Sequence, residues 1–290
     1  MNIIRAITSD GSVTVCAADT TAIVQRAEMM HKTSAVVTAA LGRLLTAASI
    51  MGCQIKNEQG TLTLKINGGG SIGSVIAVSD SNGNVKGYTQ NRVVEIPLNA
   101  KGKLDVAGAV GTDGLLHVMR DMGHGEPYIG QSKIVSGEIA EDITAYYAQS
   151  EQIPTVCALG VLVAPDLTVK NAGGFLLQLL PGADDEVITQ IEKNIAKLKP
   201  VTEMLGNGMS IEDICALALE GFEMEILDSF SSEYRCDCSR ERVEKALVSL
   251  KTEDLLSLAD EKGYTTVECH FCNKIHRFNK AELEELAGKR

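Results

Sequence analysis

The sequence predicts an α+β protein. Its expected parts are an N-terminal domain of mixed sheet and helix (1–180), a helical linker region (181–231) and a small cysteine-bearing domain (232–290). Three observations carry this expectation. Strand-like and helix-like runs are interleaved up to Pro181-Gly182. The following stretch is acidic and helical. Four of the eight cysteines then crowd into two tight pairs in the last fifth of the 290-residue chain.

The elements read in order as follows. "NIIRAITSD" and "VTVCAA" make a strand pair across the turn "SDGS". "AIVQRAEMMHKT" is a helix, and residues 34–51 form a second, apolar nearly all round. "GTLTLKING" alternates as a strand does. "SVIAVSDSNGNVKGYTQ" is a hairpin turning at Asn82-Gly83, because Asn-Gly readily takes positive φ. Residues 137–155 are helical up to Pro154, and "VCALGVLVAP" and "GGFLLQLLPGA" are strands, which gives a largely antiparallel sheet.

In "DDEVITQIEKNIAKLKP", Val187, Ile188, Ile191, Ile195 and Leu198 share one helical face. Asp184, Asp185 and Glu186 suit the N-terminal dipole, and Pro200 stops the helix. "SIEDICALALEG" has Ser210 as N-cap, Asp213 three residues on and Gly221 past the end. Further on, Ser239 caps a helix with Val243, Ala246, Leu247 and Leu250 on one side. A second helix spans 253–262, between Thr252 and Gly263. "YTTVECHFCNKIHRF" reads as strand, Cys-x-x-Cys turn, strand, and Asn279 with Glu282 forms a capping box for a last helix. Some sixty residues so poor in apolar side chains are marginal alone, and a bound metal would help to hold them.

Composition narrows the class. Trp is absent and aromatics are 4%, so the core relies on aliphatic side chains. "MNIIRAITSDGSV" has no apolar h-region, which argues against a secretory signal. The run 34–52 is broken by Arg43, so a buried helix is expected rather than a membrane span, and the chain is expected to be cytoplasmic. Net charge is −11. The residues from Ser232 onward carry 11 Lys/Arg against 12 Asp/Glu, so the acidity lies in the first 231. A nucleic-acid partner needs a basic surface, so none is expected.

Cys16, Cys53, Cys157 and Cys215 are singletons in apolar sequence and are expected to be small buried hydrophobes. Cys236/Cys238 and Cys269/Cys272 are different. In a cytosolic chain such pairs read as metal binding or redox chemistry. A tight turn lets Cys269 and Cys272 aim both sulfurs at one ion. Cys236 and Cys238 need a bend between them, which Asp237 tolerates. Together they offer Cys₄, the tetrahedral donor set of one Zn²⁺ per chain. His270 and His276 are then surplus and expected to be exposed. Such a site is either structural or a sensor, since oxidation consumes the thiolates and each cysteine has a neighbouring thiol to condense with.

Other motifs are set aside. "GGGSIG" (68–73) matches G-x-G-x-x-G, but Val75, Ile76 and Val78 predict a strand after it where a nucleotide loop needs a helix. His117, Arg120, Asp121 and His124 in "HVMRDMGHGEPY" lack an accompanying nucleophile or metal signature and read as ion pairs and a turn.

The cysteine pattern, with "ALGRLLTAA" (40–48), "GEIAEDITAYYAQSEQIPT" (137–155) and "GGFLLQLLPGA" (173–183), resembles a family over essentially the whole chain. That family is the redox-regulated, zinc-binding heat-shock chaperones of the bacterial cytosol, of thirty-three-kilodalton class. The resemblance implies an ATP-independent holdase rather than an enzyme, inactive when reduced and zinc-bound. It implies Cys236–Cys238 and Cys269–Cys272 disulfides on oxidation, with zinc release and a loosened linker. It further implies unfolded client proteins as partners and a homodimer favoured in the active state. Client contacts are expected at the 184–230 helices, with Met204, Met209 and Met224, or on the sheet beneath them. Two other classes stay open at this point. One is a thiol-disulfide oxidoreductase using Cys269 and Cys272. The other is a nucleic-acid-binding zinc module using Arg235, Arg240, Arg242, Lys274 and Arg277.

Overall fold

The computed structural model describes residues 1–259 and 263–288. Internal packing divides the chain into two units, Met1–Arg235 and Cys236–Arg290.

The first unit opens with the expected antiparallel pair, β1 (Ile3–Thr8) and β2 (Val13–Asp19). Helices α1 (Thr21–His31) and α2 (Ala35–Gly52) follow. Next come β3 (Thr61–Asn67), β4 (Val75–Asp80) and β5 (Val85–Thr89), then the short α3 (Val106–Val110). Strands β6 (Leu115–Asp121) and β7 (Tyr128–Lys133) precede α4 (Ala140–Tyr146), which widens into a π-helical turn over Tyr147–Glu151. A long hairpin, β8 (Thr155–Val163) and β9 (Val169–Leu179), leads to α5 (Asp185–Lys197), α6 (Val201–Gly206), α7 (Ile211–Ala218) and β10 (Met224–Phe230).

The expected antiparallel sheet is in fact two five-stranded sheets, ordered β5-β4-β3-β6-β7 and β10-β1-β2-β9-β8. Helix α2 explains why both are needed. Its residues are buried all round except at Ala35 and Arg43, so no single sheet face can cover it. It packs against β3, β4 and β5 of one sheet and β2, β8 and β9 of the other. By length and hydropathy it would suit a membrane, yet 89% of it is buried inside the protein, as in a core helix. Arg43 escapes the core through an ion pair with Glu138. Leu41, Leu44, Leu45 and Ile50 are at most 1% exposed, each contributing roughly 1.5–3 kcal/mol relative to an exposed position.

The β1–β2 sheet is buried on both faces. Cys16 and Ala18 point to the α2 side, while Val13, Val15 and Ala17 join Ile191, Met204, Ile214 and Cys215 in a second core under α5–α7. The expected Ser210 cap forms, and Asp184, expected only to suit the helix dipole, is a cap as well. Asp184 accepts from the N–H groups of Glu186 and Val187, and Ser210 with Asp213 closes a capping box. Met204 is buried, and Met209 and Met224 are partly buried in the same core. Sequence reading missed Asn194, which is buried and donates to the carbonyls of Ala218 and Glu220, satisfying the end of α7.

One expectation is corrected. Residues 224–230 were expected within a helical stretch and form strand β10. The reason is tertiary: β1 would otherwise be a bare edge, and β10 pairs with it antiparallel, Ile3 opposite Phe230 and Thr8 opposite Met224.

The Asn82-Gly83 hairpin forms between β4 and β5, with Gly83 at φ +77°. "GGGSIG" joins β3 to β4. A Cβ on Gly68 would lie 2.0 Å from the Gly111 carbonyl oxygen, so close backbone packing requires the glycine there. Arg120 pairs with Glu151 at 2.7 Å, and Tyr146 donates to the same carboxylate, so this cluster is an ion pair below a turn. Helix 137–155 starts later than its pattern because Asp142 gathers the chain before it. Its buried carboxylate accepts from the N–H groups of Val135 (2.8 Å), Ser136 (3.0 Å), Gly137 (3.4 Å) and Ile139 (2.9 Å), holding Ile139 at φ +71°.

The second unit contains α8 (Arg240–Val248), α9 (Thr252–Ser257), β11 (Tyr264–Glu268), β12 (Ile275–Asn279) and α10 (Lys280–Gly288). Ser239 and the Asn279/Glu282 box cap α8 and α10 as expected. Leu250 lies beyond α8 and is exposed rather than on its buried side. Helix α9 begins at Thr252 and ends at Ser257, so residues 258–259 of the expected 253–262 helix are not helical, and 260–262 lie outside the described residues.

Removing the Asp142 carboxylate leaves the buried N–H groups of Gly137 and Ile139 without an acceptor, at about 1–3 kcal/mol each, and unties Val135 and Ser136 as well. Asp142→Ala is therefore expected to lower unfolding free energy by about 3 kcal/mol or more. Urea denaturation followed by circular dichroism measures this. A loss below about 1 kcal/mol would mean that the carboxylate does not organise this turn.

Candidate metal centre

Cys269 directly follows β11, and Cys272 sits in the turn that leads into β12. The turn is closed by Cys272 and Asn273 N–H groups donating to the Cys269 carbonyl (3.3 and 2.8 Å) and by Cys269 N–H donating to Lys274 (3.0 Å). Asn273 takes φ +57°, which lets the chain reverse within four residues. Cys236 and Cys238 lie on the irregular stretch before α8. The bend at Asp237 is braced by its ion pair with Arg242.

The two pairs converge. All four Sγ atoms lie within 4.8 Å of one another. Cys236 to Cys269 is 3.7 Å and Cys238 to Cys272 is 3.3 Å. Four thiolates about 2.3 Å from one ion in a tetrahedron stand about 3.8 Å apart, so the donor set and its spacing fit a metal ion.

The electrostatics distinguish the thiols. Burial, with hydrogen bonds from Cys272 and Cys269, pushes Cys238 up, and burial also raises Cys236. Burial opposes ionisation of Cys269 too, but the N–H groups of Phe271 and Cys272, with the neighbouring thiols, bring it below the ordinary thiol value. His270 is exposed, as expected. His276 is not: it is 4% exposed, with Nε2 4.0 Å from Cys238 Sγ. It alternates with Phe278 on the inward face of β12, a pattern that the period of two could have revealed.

Only five buried apolar residues, Leu247, Leu255, Phe278, Leu283 and Leu286, core the unit among the described residues. Arg240 covers them. Its guanidinium lies 4.2 Å from the Phe278 ring centroid and bonds Glu282 (2.7 Å), Glu244 (3.2 Å) and the Arg277 carbonyl (2.8 Å). Arg242 is paired with Asp237, and Arg277 stacks over Tyr264 at 3.9 Å. Three of the five cations considered for nucleic acid are thus engaged internally. The Cys269/Cys272 turn joins two antiparallel strands, without the βαβ surroundings of a thioredoxin-like site.

The other four cysteines stand apart from this centre. Cys16, Cys53 and Cys215 are buried and Cys157 is half-buried. Burial holds the Cys16 thiol well above its ordinary value and pushes Cys53, Cys157 and Cys215 up to about 12. A thiol chromophore assay is therefore expected to count four reactive cysteines in the chelator-treated native protein and eight after denaturation. Serine at any one of Cys236, Cys238, Cys269 or Cys272 should bring bound metal below one per chain, while Cys53→Ser should leave it unchanged. Metal retention by all four single variants would refute the site.

Comparison with known proteins agrees with this architecture. A family model described as Hsp33 protein matches residues 2–279. The 33 kDa chaperonin of Clostridium beijerinckii is 45% identical over 284 residues, covering 98% of this chain and 97% of the relative. That of Acetivibrio thermocellus is 46% identical over 284 residues, covering 98% and 96%. The crystal structure of the 33 kDa chaperonin, a heat shock protein 33 homolog, from Thermotoga maritima matches with a TM-score of 0.88 at 37% identity, over 98% of this chain and 97% of that one. With the match spanning both units and all four clustered cysteines, this chain belongs to the Hsp33 family.

Proposed function

We propose that this protein is a redox-regulated, ATP-independent holdase, active in the cytoplasm under oxidative and heat stress. The observation that carries the reading is the convergence of four thiols from two chain segments in a unit with five buried apolar residues among those described. Chaperone activity itself, rather than enzymatic activity, accords with family membership and with relatives named 33 kDa chaperonins. Clients are unfolded or partly unfolded proteins.

Cys236, Cys238, Cys269 and Cys272 hold one Zn²⁺ in the reduced state. When bound, the ion keeps the thiolates deprotonated and cross-links the two segments, worth roughly 10–16 kcal/mol in small zinc peptides. This exceeds or matches the whole stability of an ordinary domain. Peroxide or hypochlorite reverses the arrangement. One thiolate attacks the peroxide oxygen, giving a sulfenic acid, and a second thiol displaces water from it to form the disulfide. Two peroxides thus convert four thiols to two disulfides and four waters. The shortest sulfur contacts run between the pairs. Yet once the donors begin to go, only sequence neighbours stay close, which favours Cys236–Cys238 and Cys269–Cys272. Loss of the module then loosens the preceding segment and opens the first unit to clients, and the active form is a homodimer.

The test compares reduced, zinc-loaded protein with peroxide-treated protein in suppressing aggregation of a thermally unfolding enzyme. Protection is expected after peroxide alone, with one zinc released per chain, both within-pair disulfides in the peptide map and a dimer in sedimentation. Equal protection by the two forms would sink the redox switch.

A further inference from the structure

Residues 224–235 run in extended form along both sheets of the first unit. Strand β10 lies on β1, with Asn2 N–H donating to the Phe230 carbonyl (3.0 Å) and Ser9 N–H to Glu223 (2.9 Å). The chain then crosses to the other sheet. Ser232 N–H donates to Asn2 Oδ1 (2.8 Å), Val85 N–H to the Glu233 carbonyl (3.0 Å) and Arg235 N–H to the Val85 carbonyl (2.8 Å). Tyr234 forms a parallel bridge with Val85. Its hydroxyl donates to the Gly87 carbonyl (2.9 Å), accepts from the Gly87 N–H (3.3 Å) and meets His31 Nε2 at 3.1 Å. Without this segment, β1 and β5 would be the bare edges of their sheets.

The segment is held mainly by backbone. Glu225 to Ser229 are exposed, including Ile226 at 46% and Leu227 at 49%, and the ladder is broken by a bulge between Arg5 and Ala6. Its apolar anchors are Met224, Phe230 and Tyr234, each only partly buried against the cores. A seat that grips main chain and a few well-spaced apolar side chains is tolerant of sequence, as strand-addition sites are.

We propose that the adjoining edges of β1 and β5 form a strand-binding site, that residues 224–235 are its resident occupant, and that an extended apolar segment of an unfolded polypeptide takes their place. This rests on the chaperone reading above and names its binding surface. Tyr234, two residues before Cys236, is the pin that keeps the occupant in place.

The probe is a labelled peptide of residues 222–235, FEMEILDSFSSEYR, titrated against the full chain. Binding is expected to be at least tenfold tighter to the reduced, zinc-loaded Tyr234→Phe variant and to peroxide-treated wild type than to reduced wild type. A peptide with proline at 225 and 228 should bind at least tenfold more weakly, because proline removes the ladder donors opposite Ile7 and Arg5. Hydrogen exchange should show residues 1–8 and 84–90 losing protection when the occupant leaves and regaining it with peptide. Equal peptide binding by all three proteins, or binding without regained protection at these edges, would overturn the site. Should peroxide fail to activate wild type towards clients, the redox switch falls, while the Tyr234→Phe arm still decides the site.

Discussion

The burial of α2 is the constraint on which the larger unit depends. A helix apolar on nearly every side cannot rest on one sheet, since a single face would leave half of it in water. Two antiparallel sheets therefore close around it, and Arg43 is tolerated because Glu138 meets it at the margin. The β1–β2 sheet, covered by α2 on one face, must in turn be covered on the other. Helices α5–α7 do this, which makes the acidic stretch after Pro181 an integral layer over that sheet.

The smaller unit rests on a different kind of force. Among the described residues its apolar core is five side chains with Arg240 as a lid, too little to oppose the chain entropy of some fifty residues. What remains is the four-thiol cluster. Apolar burial responds to temperature and denaturant but not to an oxidant, whereas thiolate ligands vanish when they are oxidised. On the proposed reading, the protein places its redox sensitivity in the unit that lacks a core and leaves the α2-centred unit unaffected. The four remaining cysteines are consistent with this, because burial keeps their thiols protonated and unreactive.

The segment between these regimes is held by neither strongly. Residues 224–235 contribute few buried side chains and many backbone hydrogen bonds at two sheet edges. Such elements belong to the low-stability end of a structure. On the proposed reading, their position directly before Cys236 lets a change in the thiols reach the sheet edges along the chain itself.

Local patterns in the sequence determined most elements. Alternation and turn residues marked β1 to β5, apolar runs marked β8 and β9, and caps marked the helices at Ser210, Ser239 and Asn279; β6 and β7, in a stretch read as ion pairs and a turn, went unread, while the paired cysteines marked the metal centre before any distance was known. These signals are short-range, so neighbouring residues suffice to carry them. Tertiary structure decided the rest. Whether there would be one sheet or two depended on what α2 has to touch. Whether Met224–Phe230 would be strand or helix depended on the open edge of β1, some two hundred residues away in sequence. Asp142, Asn194, His276 and Arg240 acquired their roles from backbone groups, rings and carboxylates that only the folded chain brings to them. Periodicity and spacing are properties of a segment; edges, lids and shared cores are properties of the whole fold.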